Sequence, residues 1–284
     1  MARKLQMAAA VTVALVALLG VCGEVLAQSA GEEQQIQIEG STTVGPIAKA
    51  FAGAFMDEHE NVNITVKLTG SGDGAAALID GRCHIAAMSR FMKPGEFAKA
   101  IENGVLPVAH TVAVDGVCPV VHPSNPVGEL TMQQLKDIYL GNITNWRQLG
   151  GVDQRIVVIS RDSSSGTFGV FSKLVMNDEK MADGVEYVNS NQNMHQRIAS
   201  TRGAIGYVGV GFLDRNVKAI KLDGVVPARR ALATGEFPLV RPLFLWTNGY
   251  PKIGSVVHRF VTYHLTMDGQ DIIEEKGFVP LTNY

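Results

Sequence analysis

The chain has 284 residues, 25 basic and 27 acidic, for a net charge of −2, so no basic surface for nucleic acid is expected. Its length suits one large domain or two lobes of ordinary size, with 46% hydrophobic residues to fill them. The three cysteines follow no metal-ligand spacing, and neither a metal nor a cofactor is expected.

The N-terminus opens with Arg3 and Lys4, continues as an apolar run from Met7 to Val21, and reaches "EVLAQ". The run is shorter than the roughly 20 residues of a bilayer span, and Val25 and Ala27 fit a small-residue cleavage site before Gln28. Residues 1–27 therefore read as an export signal, giving a periplasmic or secreted product. An uncleaved anchor is the alternative. Val21 before Cys22 argues against a lipid-attachment site. In an oxidising compartment Cys83 and Cys118 can pair, on neighbouring strands, or stay as two buried thiols.

Beyond residue 33, β-rich runs alternate with helical patterns. "IQIEG" precedes a helix over Pro46 to His59, "NITVKLTG" a helix over Gly74 to Asp80, and "HIAAMS" a helix over Pro94 to Asn103. The long stretch "VAHTVAVDGVCPVVHP" leads to the helix "TMQQLKDIYLG", the strand "RIVVIS", the helix "TFGVFSKLVM" and the strand "AIGYVGV". A polar segment from Asp223 to Pro238 separates these from the strand "VRPLFLWTNG", a helix over Val256 to Thr266 and a short one over Gln270 to Lys276. The alternation predicts an α/β fold of mixed, mostly parallel sheets with helices on both faces. The two long strands then cross between two lobes: residues 34–111 with 244–284, and residues 112–243. Trp146 and Trp246 are expected to pack rather than to bind.

Three strands end in the same chemistry. "GSTTVGP" places Thr42 and Thr43 before a helix, "LTGSGDG" places Ser71 there, and "SRDSSSGTF" places Arg161, Ser165, Gly166 and Thr167 there. A hydroxyl before a helix is an ordinary N-cap when it stands alone. Three such turns at strand carboxyl ends can converge on one cleft, where helix N-termini, hydroxyls and a guanidinium suit an anion. "GSGDG" lacks the dinucleotide fingerprint, and no P-loop lysine follows. Asp162 orients a neighbouring donor or caps the helix.

From Ile36 to Tyr284 the chain resembles the phosphate-binding proteins of bacterial phosphate ABC importers, the PstS family. The resemblance rests on "GSTTV", "GSGDG", "AAMSR", "NPVGELTMQQLKDIYLGNITNWRQLGG", "SRDSSSGTF", "GAIGYVGVGFL", "ATGEFPLVRPLFLWTNG" and "DGQDIIEEKGFVPL". It implies two α/β lobes on a β-strand hinge, a monomer that holds inorganic phosphate between them, and delivery to a membrane ABC permease. The implied ligand contacts are Thr42 and Thr43, Ser71, and Arg161, Ser165, Gly166 and Thr167. Ser89, followed by Arg90, stands where well-known members carry an aspartate, and both enter the candidate site.

Two other functions compete. A secreted serine hydrolase would use Ser163, Ser164 or Ser165 with one of the histidines, although "SSSGT" is not a nucleophile elbow. A phosphate scavenger or sensor without a permease would have the same site.

Overall fold

The computed structural model describes residues 34–282. The export-signal reading of residues 1–27 lies outside them.

The first half of the alternation folds as β1 (Gln34–Gly40), α1 (Gly45–Glu58), β2 (Val62–Leu68), α2 (Ser71–Ile79), β3 (Ile85–Met88) and α3 (Pro94–Glu102). Pro46 sits in the first turn of α1, where its missing N–H costs nothing. Glu96 in the first turn of α3 accepts from Lys93 N at 2.8 Å. β1 pairs in parallel with β2 on one side and β3 on the other.

The 15-residue β4 (Pro107–Val121) then crosses to the second half. There follow β5 (Glu129–Leu130), α4 (Met132–Leu140), a 3-10 turn at Trp146–Leu149, β6 (Val157–Arg161) and α5 (Gly166–Phe171). α5 continues as a π-turn at Ser172–Met176. Next are β7 (Glu186–Val188), α6 (Asn191–Ala199), β8 (Ala204–Gly209), β9 (Lys218–Ala219), β10 (Lys221–Leu222) and α7 (Arg229–Ala233). The chain returns along β11 (Val240–Asn248) and closes with α8 (Val256–Val261) and α9 (Met267–Glu275). α6 and α7 were not expected: α6 offers only Met194 and Ile198 as buried apolar residues, and α7 falls in the polar segment.

Among the described residues the strands form a sheet in the order β2-β1-β3-β11-β4-β8-β6-β7, with β9 on β4 and a separate β10-β5 pair. β6 pairs in parallel with β7 and β8. β11 and β4 run antiparallel to their neighbours, which makes the sheet mixed. β4 serves both halves, since Pro107 to Gly116 pair with β11 and Val117 to Val121 with β8.

Alternate side chains enter opposite layers, as strand pleating requires. Ile85 and Ala87 of β3 and Leu243 and Leu245 of β11 join Phe51 and Phe55 of α1 on one face. Ala86, Met88, Phe244 and Trp246 join Leu78 of α2 on the other. The second half repeats the arrangement: Ile205 and Tyr207 of β8 pack with Trp146 and Phe171, while Ala204 and Val208 pack with Met194 and Ile198. Trp146 is fully buried and donates through Nε1 to Gly203 O at 2.9 Å, so it packs as expected.

The expected proximity of Cys83 and Cys118 on neighbouring strands does not hold, because β11 lies between β3 and β4. Both remain free, buried thiols. Burial raises the Cys83 thiol to about 11 and pushes the Cys118 thiol well above its ordinary value, with Glu39 and Asp115 adding to the respective shifts.

Where the crossing strands meet, Arg241 pairs in register with Asp115. Arg241 Nε and Nη2 donate to Asp115 Oδ2 at 2.8 and 2.6 Å, and Asp115 Oδ1 accepts from Val210 N at 2.8 Å. Burial pushes the Asp115 carboxyl up and Arg241 opposes the shift. Asp115→Ala leaves Arg241 without its carboxylate and is expected to destabilise the fold by about 3–5 kcal/mol in urea unfolding. Replacing both residues by apolar ones of similar volume should restore most of that loss.

Candidate anion-binding site

The turns after β1, β2, β6 and β7 meet at the carboxyl ends of their strands, and each leads into a helix. In the first turn Gly40 has φ +138°, and a Cβ there would lie 2.2 Å from Ala87 O, so only glycine lets β1 and β3 approach this closely. Ser41 Oγ accepts from Thr43 N at 3.1 Å and Val44 N at 3.3 Å, which fixes the loop that presents Thr42 and Thr43. Thr43 Oγ1 lies 3.0 Å from Thr167 Oγ1 in α5.

The second and third turns also touch. Gly72 N donates to Ser164 O at 2.9 Å. Ser71 and Ser89 are fully buried, with Ser89 N donating to Ser71 Oγ at 3.0 Å and the two hydroxyls 3.4 Å apart. A Cβ on Gly166 would meet Ser71 Oγ at 2.3 Å and Ser89 Oγ at 2.5 Å. The absence of a side chain at Gly166 is what brings these hydroxyls against the first turn of α5.

Arg161 ends β6 at 1% exposure. Its Nε donates to Val188 O at 3.1 Å, and Nη2 donates to Asn189 O at 3.0 Å and Thr42 Oγ1 at 3.3 Å. Nη1 is buried with no hydrogen-bond partner. Burial lowers the Arg161 pKa to about 10, against the raising effect of Tyr207 and Asp162. The guanidinium therefore stays charged near neutral pH. Asp162 Oδ1 accepts from Ser164 N at 2.9 Å and Ser164 Oγ at 2.6 Å, so it organises the loop. Ser165 Oγ caps α5 by accepting from Phe168 N at 3.2 Å.

Of the sequence-derived residues, the structure gathers Thr42, Thr43, Arg161 and Thr167 into one hydrogen-bonded group, with Ser71, Ser89, Ser165 and Gly166 beside it. Arg90 stands apart. Its Nη1 and Nη2 hold Glu96 at 2.8 and 2.7 Å, so its charge is already paired. The histidine rings find partners elsewhere or, like Nδ1 of His258, none: His195 bonds Asp214 and His110 bonds Thr247. Ser163, Ser164 and Ser165 make no hydrogen bond to a histidine, and a hydrolase base is not in place among the described residues.

Asn191 and Arg241 were missed. Asn191 Nδ2 donates to Thr43 Oγ1 at 2.8 Å and Thr42 Oγ1 at 3.3 Å, and Arg241 Nη2 donates to Thr43 Oγ1 at 3.3 Å. "EYVNSNQNM" is a fourth strand-to-helix turn of the same polar type. Single charges in "VAVDGV" and "LVRPLF" are the trace that a buried pair leaves in apolar strands.

Two sheet-and-helix halves sharing crossing strands, with donor-rich turns meeting between them, define a solute-binding protein of the periplasmic type. The family described as the PBP superfamily domain matches residues 27–266. The phosphate-binding protein PstS of Bacillus subtilis is 35% identical over 260 residues, covering 89% of this chain and 84% of the relative. A putative phosphate ABC transporter substrate-binding protein of Clostridium perfringens, solved with bound phosphate, superposes with a TM-score of 0.80 at 31% identity, over 88% of this chain and all of that one. An ABC-type phosphate transport receptor of Vibrio cholerae gives 0.70 at 30% identity, over 86% of this chain and 99% of its own. The chain belongs to the PstS family of phosphate-binding proteins within the PBP superfamily.

Gly166→Ala is expected to cost about 1–3 kcal/mol in urea unfolding, although alanine is the better helix former, because its methyl forces Ser71 and Ser89 away.

Proposed function

We propose that the chain is an exported solute-binding protein that captures inorganic phosphate between two lobes and delivers it to a membrane ABC permease. The lobes are residues 34–111 with 244–284, and residues 112–243. The observation that carries this reading is Arg161: a buried guanidinium with a free Nη1, held by two backbone carbonyls and the Thr42 hydroxyl and joined to no carboxylate. Relatives named for phosphate binding and ABC transport support the choice of anion and of partner. The product is periplasmic or secreted, acts as a monomer, is not an enzyme and does not engage nucleic acid.

In this reading Arg161 supplies the charge, Thr42 and Thr43 donate from one lobe, and Ser165, Gly166 and Thr167 donate from the N-terminus of α5. Ser71 and Ser89 complete the shell beside Gly166, whereas Arg90, held by both oxygens of Glu96, borders the shell and contributes little of its charge to it. About half a dozen charge-assisted hydrogen bonds of roughly 1.5–3 kcal/mol each outweigh the ordering costs and support micromolar or tighter binding. Arg161→Ala is expected to cost about 2–5 kcal/mol in binding by calorimetry, whereas Ser164→Ala leaves the backbone link from Gly72 and binds nearly as wild type. Wild-type affinity in Arg161→Ala protein would refute the assignment.

Near neutral pH phosphate keeps a proton and sulfate has none, so an acceptor in the shell favours phosphate. Ser89 cannot serve as an ionised acceptor, and Asp73 is exposed. Asp162 keeps a buried Oδ2 with no partner, and we assign the proton-accepting role to it. Millimolar sulfate is expected not to displace phosphate, and Asp162→Asn should narrow the preference about tenfold or more. Equal affinity of the wild type for the two anions would reduce the reading to oxyanion binding. The same titrations should show phosphate affinity falling as pH rises through about 10, where Arg161 loses its proton.

A further inference from the structure

We infer that Asn191 is a positioning residue that makes Thr42 and Thr43 obligate hydrogen-bond donors toward the bound anion, with Arg241 filling the remaining acceptor site of Thr43. The inference rests on the phosphate reading above and concerns the proton arrangement of that site.

The orientation of the Asn191 amide is determined by its neighbours. Gly209 N is a donor only and lies 3.1 Å from one amide atom of Asn191, which must therefore be the oxygen. The opposite atom, Nδ2, then faces the threonines and spends its two protons on them, one to Thr43 Oγ1 at 2.8 Å and one to Thr42 Oγ1 at 3.3 Å. Asn191 is fully buried at the start of α6, with Ser190 capping that helix by accepting from Asn193 N. Its side chain has no rotational freedom that keeps all three bonds.

A hydroxyl has two acceptor sites and one proton. On Thr43 both acceptor sites are taken by N–H groups, from Asn191 and from Arg241 Nη2 at 3.3 Å. Its proton has to go outward, and in this structure it points along the 3.0 Å contact to Thr167 Oγ1. On Thr42 the two acceptor sites are filled by Asn191 Nδ2 and Arg161 Nη2, both at 3.3 Å. Its proton is left to donate as well. Asn191 thus spends nothing on the anion and removes every alternative in which these hydroxyls present lone pairs to it. Arg241 holds its position because Asp115 fixes its Nε and Nη2 across the paired strands β4 and β11.

The test compares Asn191→Asp, Asn191→Ala and wild type for binding of inorganic phosphate, alongside thermal unfolding. Aspartate keeps the shape and the acceptor for Gly209 N but turns the face toward the threonines into an acceptor, which draws both hydroxyl protons away from the anion. Asn191→Asp is expected to lose about a hundredfold in affinity and Asn191→Ala about tenfold, with the aspartate variant unfolding at nearly the wild-type temperature. A purely structural role predicts the opposite order, with alanine worse. Placing Asn191→Asp in a Thr42→Val, Thr43→Val background isolates the route: its further effect should shrink to about threefold or less once the hydroxyls are gone. Should Asn191→Asp not fold, the same cycle with Asn191→Ala decides the question. Near-wild-type affinity in Asn191→Asp protein, the reversed order, or an undiminished effect in the double-valine background would overturn the inference. Wild-type protein that binds sulfate or arsenate but not phosphate would refute the phosphate reading alone, since the ratios can then be measured with that anion. Wild-type protein that binds none of the three would overturn both.

Discussion

A buried positive charge without a carboxylate is the constraint on which the site depends. Arg161 is 1% exposed, and moving a guanidinium out of water is costly unless its N–H groups are satisfied. The fold meets part of that requirement with the carbonyls of Val188 and Asn189 and the hydroxyl of Thr42. Val188 is the register partner of Arg161 across β6 and β7, so a three-residue strand exists largely where the arginine needs acceptors. Carbonyls are neutral, however, and burial away from water lowers the Arg161 pKa to about 10 despite the opposing effects of Tyr207 and Asp162. An anion among these donors relieves both the unpaired Nη1 and the unbalanced charge.

Two neighbouring arginines show how specific that arrangement is. Arg90 is held by both oxygens of Glu96, and Arg241 by Asp115. A cation already paired has little left for a ligand, because its field is cancelled at short range. A chain of net charge −2 can therefore concentrate attraction for an anion at one point without a basic surface. The Asp115–Arg241 pair contributes differently: it locks the crossing strands together and, through Nη2, reaches Thr43.

The fold was legible because the β-rich and helical periods alternate cleanly from Ile36 onward, and because Gly40, Pro46 and the polar turns mark the strand-to-helix junctions. The convergence of three of the turns was legible for the same reason: strand carboxyl ends in α/β sheets converge by topology, so repeated Ser, Thr and Gly there carry spatial information. α6 was not, since a polar helix anchored by Met194 and Ile198 alone looks like a loop until β8 is beside it. Asn191 was lost with it. The role of Arg90 could not be read either, because "SRFMKPGE" separates it from Glu96 by a turn whose geometry only the fold determines. Cys83 and Cys118 misled because strand neighbours were assigned in chain order, whereas β11, far along the chain, inserts between β3 and β4.

The hydrogen bonds that join the turns across the two halves differ in kind from those that hold each half together. Thr43 to Thr167, Gly72 to Ser164, Asn191 to Thr42 and Thr43, and Arg161 to Thr42 are polar contacts, each worth about 0.5–1.5 kcal/mol net, somewhat more for the charged one. The cores of the halves consist of buried aliphatic and aromatic side chains on either face of the sheet, at about 1.5–3 kcal/mol apiece. Separating the turns therefore costs far less than disturbing either half, and the groups exposed by separation are ones that water satisfies well. Closure is correspondingly weak on its own, so an anion that bonds to donors from both sides can decide the balance with only a few contacts. An anion held by donors from both sides leaves when those sides separate, and the polar contacts between the turns are the ones that separation would break.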